Sequence, residues 1–194
     1  MKWNWFLGGA VVAILAGCGL VPPIPLSDPL QLNGKSVTLS LTGGALSSQS
    51  AMSGSVNVSV EDVLSGVSIP FTPGSFKACY DFTVTGDAPS SAPMSLKLTN
   101  IKMNLTLQDA SNGSTTIQAT ASEVTLSVSG GKYTGDGKNL CGDFADVGKV
   151  VAILSSPPAS NTLTGTFSLD TDATLPPGTT LTITFENGQG EIKL

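Results

Sequence analysis

The 194-residue chain contains no histidine and no arginine; all nine of its cations are lysines. Without histidine it lacks the commonest general base and the commonest metal ligand. Without arginine it lacks the side chain that reads phosphates and guanine edges in two-point contacts, which argues against nucleic acid as a partner. Charged residues of either sign are scarce at 12%, and the formal net charge is −5. Aromatics make up only 6%, and both tryptophans, Trp3 and Trp5, stand at the extreme N-terminus. No catalytic set emerges. A serine nucleophile would need lysine as its base, and no Ser-Lys motif is present. Paired acids such as Asp143 with Asp146 and Asp170 with Asp172 could suit glycoside hydrolysis. The aromatics that line such clefts are too few, however, so the expectation is a protein that is not an enzyme.

The chain is rich in serine, threonine, glycine and alternating aliphatics, and it opens with a distinctive leader. Lys2 precedes an apolar run from about Trp5 to Leu15. That run is about eleven residues, or roughly 16 Å as a helix, too short for a bilayer core near 30 Å. It ends in Leu15-Ala16-Gly17-Cys18. Charge, apolar core and small residues in that order make a secretory signal. A cysteine directly after Leu-Ala-Gly resembles the lipobox of bacterial lipoproteins. The resemblance covers the first eighteen residues, and the remainder is not recognised. It implies that residues 1–17 are removed, that Cys18 carries a thioether-linked diacylglycerol and an acyl chain such as palmitate, and that the protein works outside the cytoplasm at a membrane. Gly19 stands where inner-membrane lipoproteins tend to have aspartate, which implies the outer membrane.

Setting Cys18 aside leaves Cys79 and Cys141, an even number in an oxidising compartment, and a disulfide is expected between them. Closing a loop of that length stabilises a fold by around 4 kcal/mol in the chain-entropy picture. Residues 18–35, with Pro22, Pro23, Pro25 and Pro29, read as an extended tether whose leucines could instead dock on the domain. Residues 36–194 read as a single domain.

Period-two alternation runs through that domain. It marks strands at Val37-Leu39-Leu41, at Val56-Val58-Val60 and at Phe76-Ala78-Tyr80-Phe82-Val84. The last places Cys79 on the outer face, with Lys77 and Asp81. A Gly/Ser loop is expected from Gly43 to Ser53, one helical turn from Glu61 to Gly66, and irregular chain around Ile69-Pro70. A long hairpin is expected over 94–130, turning at Ser111-Asn112-Gly113 with Leu107 opposite Ile117. Its apolar face changes side near Ile101 and Glu123, which predicts a bend there. Val150–Leu154 reads as a buried central strand, and further strands run over Leu163–Leu169 and Leu181–Phe185. Asn187-Gly188 carries the signal of a tight hairpin turn. Nine or ten strands in this pattern point to an all-β, antiparallel β-sandwich, with a closed β-barrel as the alternative.

The glycine-rich run from Gly130 to Val147 reads as a long loop and first candidate for a contact surface, with Tyr133, Asp136 and Asn139 as its binding residues. Calcium is the metal that the oxygen-rich side chains favour, since oxygen ligands are all it needs. Its weak candidates are Asp170 and Asp172 at one turn and Asp143 and Asp146 in the glycine-rich run; no other cofactor is expected. The reading that emerges is a non-catalytic, lipid-anchored envelope protein presenting loops to a protein or glycan partner. The alternative is a carrier or sensor of a lipophilic molecule, which requires a hollow interior.

Overall fold

The computed structural model describes residues 22–41, 51–59, 64, 73–91, 93–156 and 161–193. The leader with Cys18, most of the Gly/Ser loop from Gly43, all of the 61–66 turn but Leu64, and the Ile69-Pro70 segment lie outside them. The described chain forms ten strands and one helix: β1 (Ile24–Ser27), β2 (Ser36–Leu41), β3 (Ala51–Ser59), β4 (Ser75–Asp87), β5 (Ser95–Asp109), β6 (Gly113–Thr120), β7 (Val124–Ser129), β8 (Lys132–Phe144), α1 (Val147–Leu154), β9 (Thr162–Thr171) and β10 (Thr180–Lys193).

All pairings are antiparallel, and the order β10-β2-β3-β9-β5-β6-β8-β4 returns to β10. The fold is therefore all-β, and of the two architectures expected, the closed barrel of eight strands is the one formed. Closure comes from β4 and β10, which pair from Gly86↔Leu181 to Ser75↔Lys193. Two positions in the barrel are each filled by a pair of collinear pieces. β2 and β1 share one edge of β10, at Thr180–Thr184 and Gln189–Ile192. β7 and β6 both lie between β5 and β8.

An eight-stranded barrel is just wide enough inside for side chains to fill. Here the filling is aromatic. Phe167 packs against Phe82 at 6.1 Å between ring centroids and against Phe185 at 6.0 Å, and Tyr80 meets Phe185 edge-on at 6.3 Å. The outer wall is hydroxylated instead. Thr38 pairs with Thr182, Thr182 with Thr85, and Thr85 with Thr134, a continuous row across four strands. An apolar inside and polar outside is the inverse of a transmembrane barrel, which needs an apolar outer band.

Several local expectations are corrected. The 130–147 run is not a loop: after a tight turn at Gly130-Gly131 it is the 13-residue strand β8. Its glycines sit where neighbours leave no room for a side chain. A Cβ on Gly137 would lie 2.1 Å from the Phe82 ring, on Gly135 2.6 Å from Leu126, and on Gly142 2.5 Å from the Gln118 carbonyl. Glycine in a strand interior commonly marks such close approach and bending. Val150–Leu154 is not a strand but the body of helix α1. Asp146 caps it by accepting from the Lys149 amide at 3.0 Å, and Val150, Ile153 and Leu154 are buried on one face. Spacing of i, i+3, i+4 lets the same apolar run plug one end of the barrel.

The 94–130 hairpin exists, but its register is two residues from the one expected: Leu105 lies opposite Ile117 and Leu107 opposite Thr115. The cause is the Asp109 side chain. Its buried carboxylate accepts from the Ser111 and Asn112 amides at 3.1 and 2.9 Å, so the turn begins earlier. The change of face midway is present. β6 ends at Thr120 and β7 resumes at Val124, while β5 bulges at Asn100, whose φ is +49°. Leu98↔Val124 and Leu96↔Leu126 then carry on the pairing. Asn187-Gly188 is no hairpin turn either. It is a bulge inside β10, with Glu186 opposite Asp81 and Gln189 already opposite Cys79.

Candidate functional site

The irregularities of the barrel concentrate on one part of its wall, around the middle of β4. Tyr80 and Asp81 stand there between two bulges. On the β10 side, Asn187 and Gly188 occupy the space opposite Tyr80; on the β8 side, Lys138 and Asn139 occupy the space opposite Asp81. Asn187 and Asn139 both have left-handed backbone, φ +50° and +56°. Asparagine tolerates that region better than most residues, yet it still stores strain, and such residues gather at functional sites.

Tyr80 points inward and Asp81 outward, as strand alternation requires. The Tyr80 hydroxyl accepts from the Leu30 amide at 2.8 Å and donates to the Asp28 carboxylate at 2.9 Å. Burial first, and then the charge of Asp28, push the Tyr80 phenol far above its ordinary pKa, so it remains a donor. Asp28 Oδ1 also accepts from the Leu32 amide at 2.9 Å. Together these bonds fold residues 28–35 into a strap over β10. The strap is sewn to the bulge by Asp28 N–H to the Gly188 carbonyl (2.9 Å) and Gly188 N–H to Asn33 Oδ1 (2.8 Å). A Cβ at Gly188 would sit 2.3 Å from the Tyr80 ring, so this position takes only glycine.

Leu30 and Leu32 are fully buried by the strap. At about 1.5–3 kcal/mol for each buried leucine, that docking is a substantial part of the fold's stability. Of the two readings of the proline-rich segment, docking on the domain thus describes residues 24–35.

Outward of the same bulges, Asp81 Oδ2 accepts from Lys138 Nζ at 2.9 Å and from Asn187 Nδ2 at 3.2 Å, and Asp81 Oδ1 accepts from the Asn139 amide at 3.3 Å. Partial burial works against the charged carboxylate. The hydrogen bonds from Lys138, Asn187 and Asn139, with the charge of Lys138, outweigh it and hold the Asp81 pKa below the usual carboxylate range. One step along the same outer face, Cys79 and Cys141 are directly opposed, 4.1 Å between Cα atoms, and form the disulfide. It joins two strands rather than a loop to a strand, on the outer side expected.

Two open hollows meet at Gln189 and Gly190 beside these residues. One of about 640 Å³ is lined by Pro25, Leu26, Asn33, Asn187 and Gln189 among others. A second of about 270 Å³ is lined by Lys77, Cys79, Asn139, Gln189 and Glu191. They form a polar groove across β1, β10, β4 and β8, rich in side-chain amides and without an aromatic ring. In the barrel interior beneath, the rings of Tyr80, Phe82, Phe167 and Phe185 are in contact.

The other expected site residues are dispersed. Of the three binding candidates, Asn139 lines the groove, Asp136 is exposed on β8 opposite Thr83, and Tyr133 is fully buried, its hydroxyl donating to the Pro93 carbonyl at 3.3 Å. The acids considered for calcium are tied to structural tasks at opposite ends of the barrel. Asp170 accepts from Asn100 Nδ2 at 2.7 Å and Asp172 from the Lys97 amide at 2.8 Å, Asp146 caps α1, and Asp143 lies exposed opposite Lys77. Among the described residues no three metal-ligating acids or cysteines come together. Sequence reasoning missed Tyr80, Asp81 and Asn187 as members of a site. The Asn-Gly pair was the available signal, and it was read as a turn.

Comparison with protein families, with curated proteins and with solved structures returns no match.

Tyr80→Phe keeps the ring and removes the oxygen, leaving the buried Leu30 N–H unpaired. Unfolding in urea is expected to show a loss of about 1–3 kcal/mol without a change in slope. Amide exchange should accelerate first at Leu30 and Leu32. For Asp81, a lowered folded-state pKa means that its stabilisation is complete above the unfolded carboxylate value near 4 and disappears as pH falls through the folded value. Asp81→Asn should therefore flatten the acid limb of the stability curve below about pH 4 and leave its shape near neutrality unchanged. An unchanged acid limb would remove Asp81 from the network.

Proposed function

We propose that this chain is a lipid-anchored, non-catalytic protein of the bacterial cell envelope, on the outer membrane, that binds a glycan in the polar groove over the Asn187-Gly188 bulge. The observation that carries the binding part is the convergence of strained and hydrogen-bonding residues on one groove. Of the five non-glycine residues with left-handed backbone among those described, Asn139 and Asn187 line it, and Asp28 bonds the Gly188 carbonyl beneath it.

The chemistry of the surface favours a glycan over a protein. Protein interfaces draw most of their energy from tryptophan, tyrosine and arginine. Here arginine is absent, both tryptophans lie in the leader, and Tyr80 and Tyr133 are buried. Met94 is the one large apolar side chain exposed among the described residues, and it lies at the end of the barrel remote from helix α1. Asn33, Asn187, Gln189 and Asn139 instead offer carboxamides, which can both donate and accept, as sugar hydroxyls and acetamido groups do. Anchoring rests on the lipobox resemblance, and the polar outer wall is consistent with a body held beside the bilayer rather than within it. The lack of any histidine and of an assembled acid pair in the groove supports a role without catalysis.

Growth with a labelled fatty acid should label the wild-type protein and not Cys18→Ser; a wild type that takes up no label refutes the anchor. Titration with tetramers of glucose and of N-acetylglucosamine, followed by amide shifts, should move resonances at Gln189, Gly190 and Asn139. Gln189→Ala should weaken the binding about tenfold, corresponding to about 1.4 kcal/mol. Silence from both tetramers and from a wider array of neutral oligosaccharides refutes the glycan assignment.

A further inference from the structure

The directions of the strands decide which end of the barrel a lipid on Cys18 would hold. β1 runs antiparallel to β10 with Ile24 opposite Ile192, so its N-terminal end lies beside Lys193 and the start of β4 at Ser75. The β5–β6 turn lies at the same end, as does helix α1, which follows directly on β8 at Phe144. Asn112 Nδ2 donates to Ser156 Oγ at 2.6 Å and so ties that turn to the C-terminus of the helix. The opposite end holds the Gly130-Gly131 turn, Met94 and the chain from Asp172 to Thr179.

Six peptide units separate Cys18 from Ile24. Whatever their conformation, they span at most about 20 Å. β4, at 13 residues, rises roughly 43 Å along its own axis, which at the usual strand tilt gives a barrel roughly 33 Å tall. The reach of the tether is therefore shorter than the barrel, and the barrel cannot be inverted over its own anchor.

We propose that the end bearing helix α1 and the β5–β6 turn faces the lipid bilayer, and that the end bearing the Gly130-Gly131 turn is presented away from it. This rests on the anchor at Cys18 proposed above. The helix end suits a close approach without insertion. The exposed positions of α1 are Gly148, Lys149 and Ala152, all short apart from one lysine. Among the described residues there, Lys149 is compensated by Asp146 at 3.8 Å and Lys193 by Glu191 at 3.0 Å, so neither lysine captures an anionic lipid surface strongly. The glycan groove begins at Pro25 and Leu26, just above that end, and opens sideways along the membrane rather than outward from it.

The test uses the full lipidated chain in vesicles whose headgroups carry an energy acceptor. A single donor is placed through Ser111→Cys, at the helix end, or through Ser129→Cys, at the other, with the Cys79–Cys141 bridge kept oxidised. Both serines are exposed. Wild type should float with the vesicles and Cys18→Ser should not. Energy transfer from position 111 should exceed that from position 129 at least twofold. Flotation with equal transfer, as in a barrel lying flat, or with the order reversed, overturns the orientation and leaves the anchor standing. A wild type that fails to float overturns both.

Discussion

Pairing between β4 and β10 closes the sheet, and closure at eight strands leaves an interior with room only for side chains. Most inward positions are therefore filled by apolar side chains. Phe82, Phe167 and Phe185 fill the centre, while Gly137 gives way so that the Phe82 ring can lie over its backbone. The two open hollows described above lie on the wall. There the strands are not uniform. The wall is smooth and hydroxylated across Thr38, Thr182, Thr85 and Thr134, and broken by bulges around Asp81.

The bulges and the strap are one construction. Asn187-Gly188 widens β10 opposite Tyr80; the widened backbone binds Asp28 and Asn33; Asp28 and Leu30 in turn satisfy the Tyr80 hydroxyl. Each part lacks a partner without the others. The segment that holds the bulge is also the one that follows the proposed anchor in sequence. Twelve residues, from Ile24 to Lys35, thus pair with β10 and close over its bulge.

How much of this was legible in the sequence depended on whether local pattern or long-range fit decided the matter. Period-two alternation is imposed by the strand itself, so the strands around Val37, Phe76, Leu163 and Leu181 were readable, as was the outward side of Cys79. The change of face near Ile101 and Glu123 was readable for the same reason, and the break between β6 and β7 lies there. Glycine misled. In β8 it is demanded by neighbours such as Phe82 and Leu126, which come from distant parts of the chain, and a sequence cannot distinguish that from a loop. Asn187-Gly188 misled likewise, because left-handed asparagine followed by glycine serves a bulge as well as a turn, and the choice is made by Tyr80 and by β1. Val150–Leu154 became a helix because the mouth of the barrel needed a plug, a requirement that no local window contains. The site followed the same division: Asn139 was reachable as part of an unusual run, while Tyr80 and Asp81 looked like ordinary strand residues.

The bridge between Cys79 and Cys141 also decides what becomes of the molecule when its chain is cut. It spans a chain segment that includes the turns at 110–112 and 130–131 and the connection from β4 to β5. A protease that nicks any one of these would release no fragment: both products would stay covalently joined and interleaved in the same closed sheet. Damage at those turns is thus made survivable by a single bond on the outer wall, and a cut molecule can remain whole in outline and keep its place.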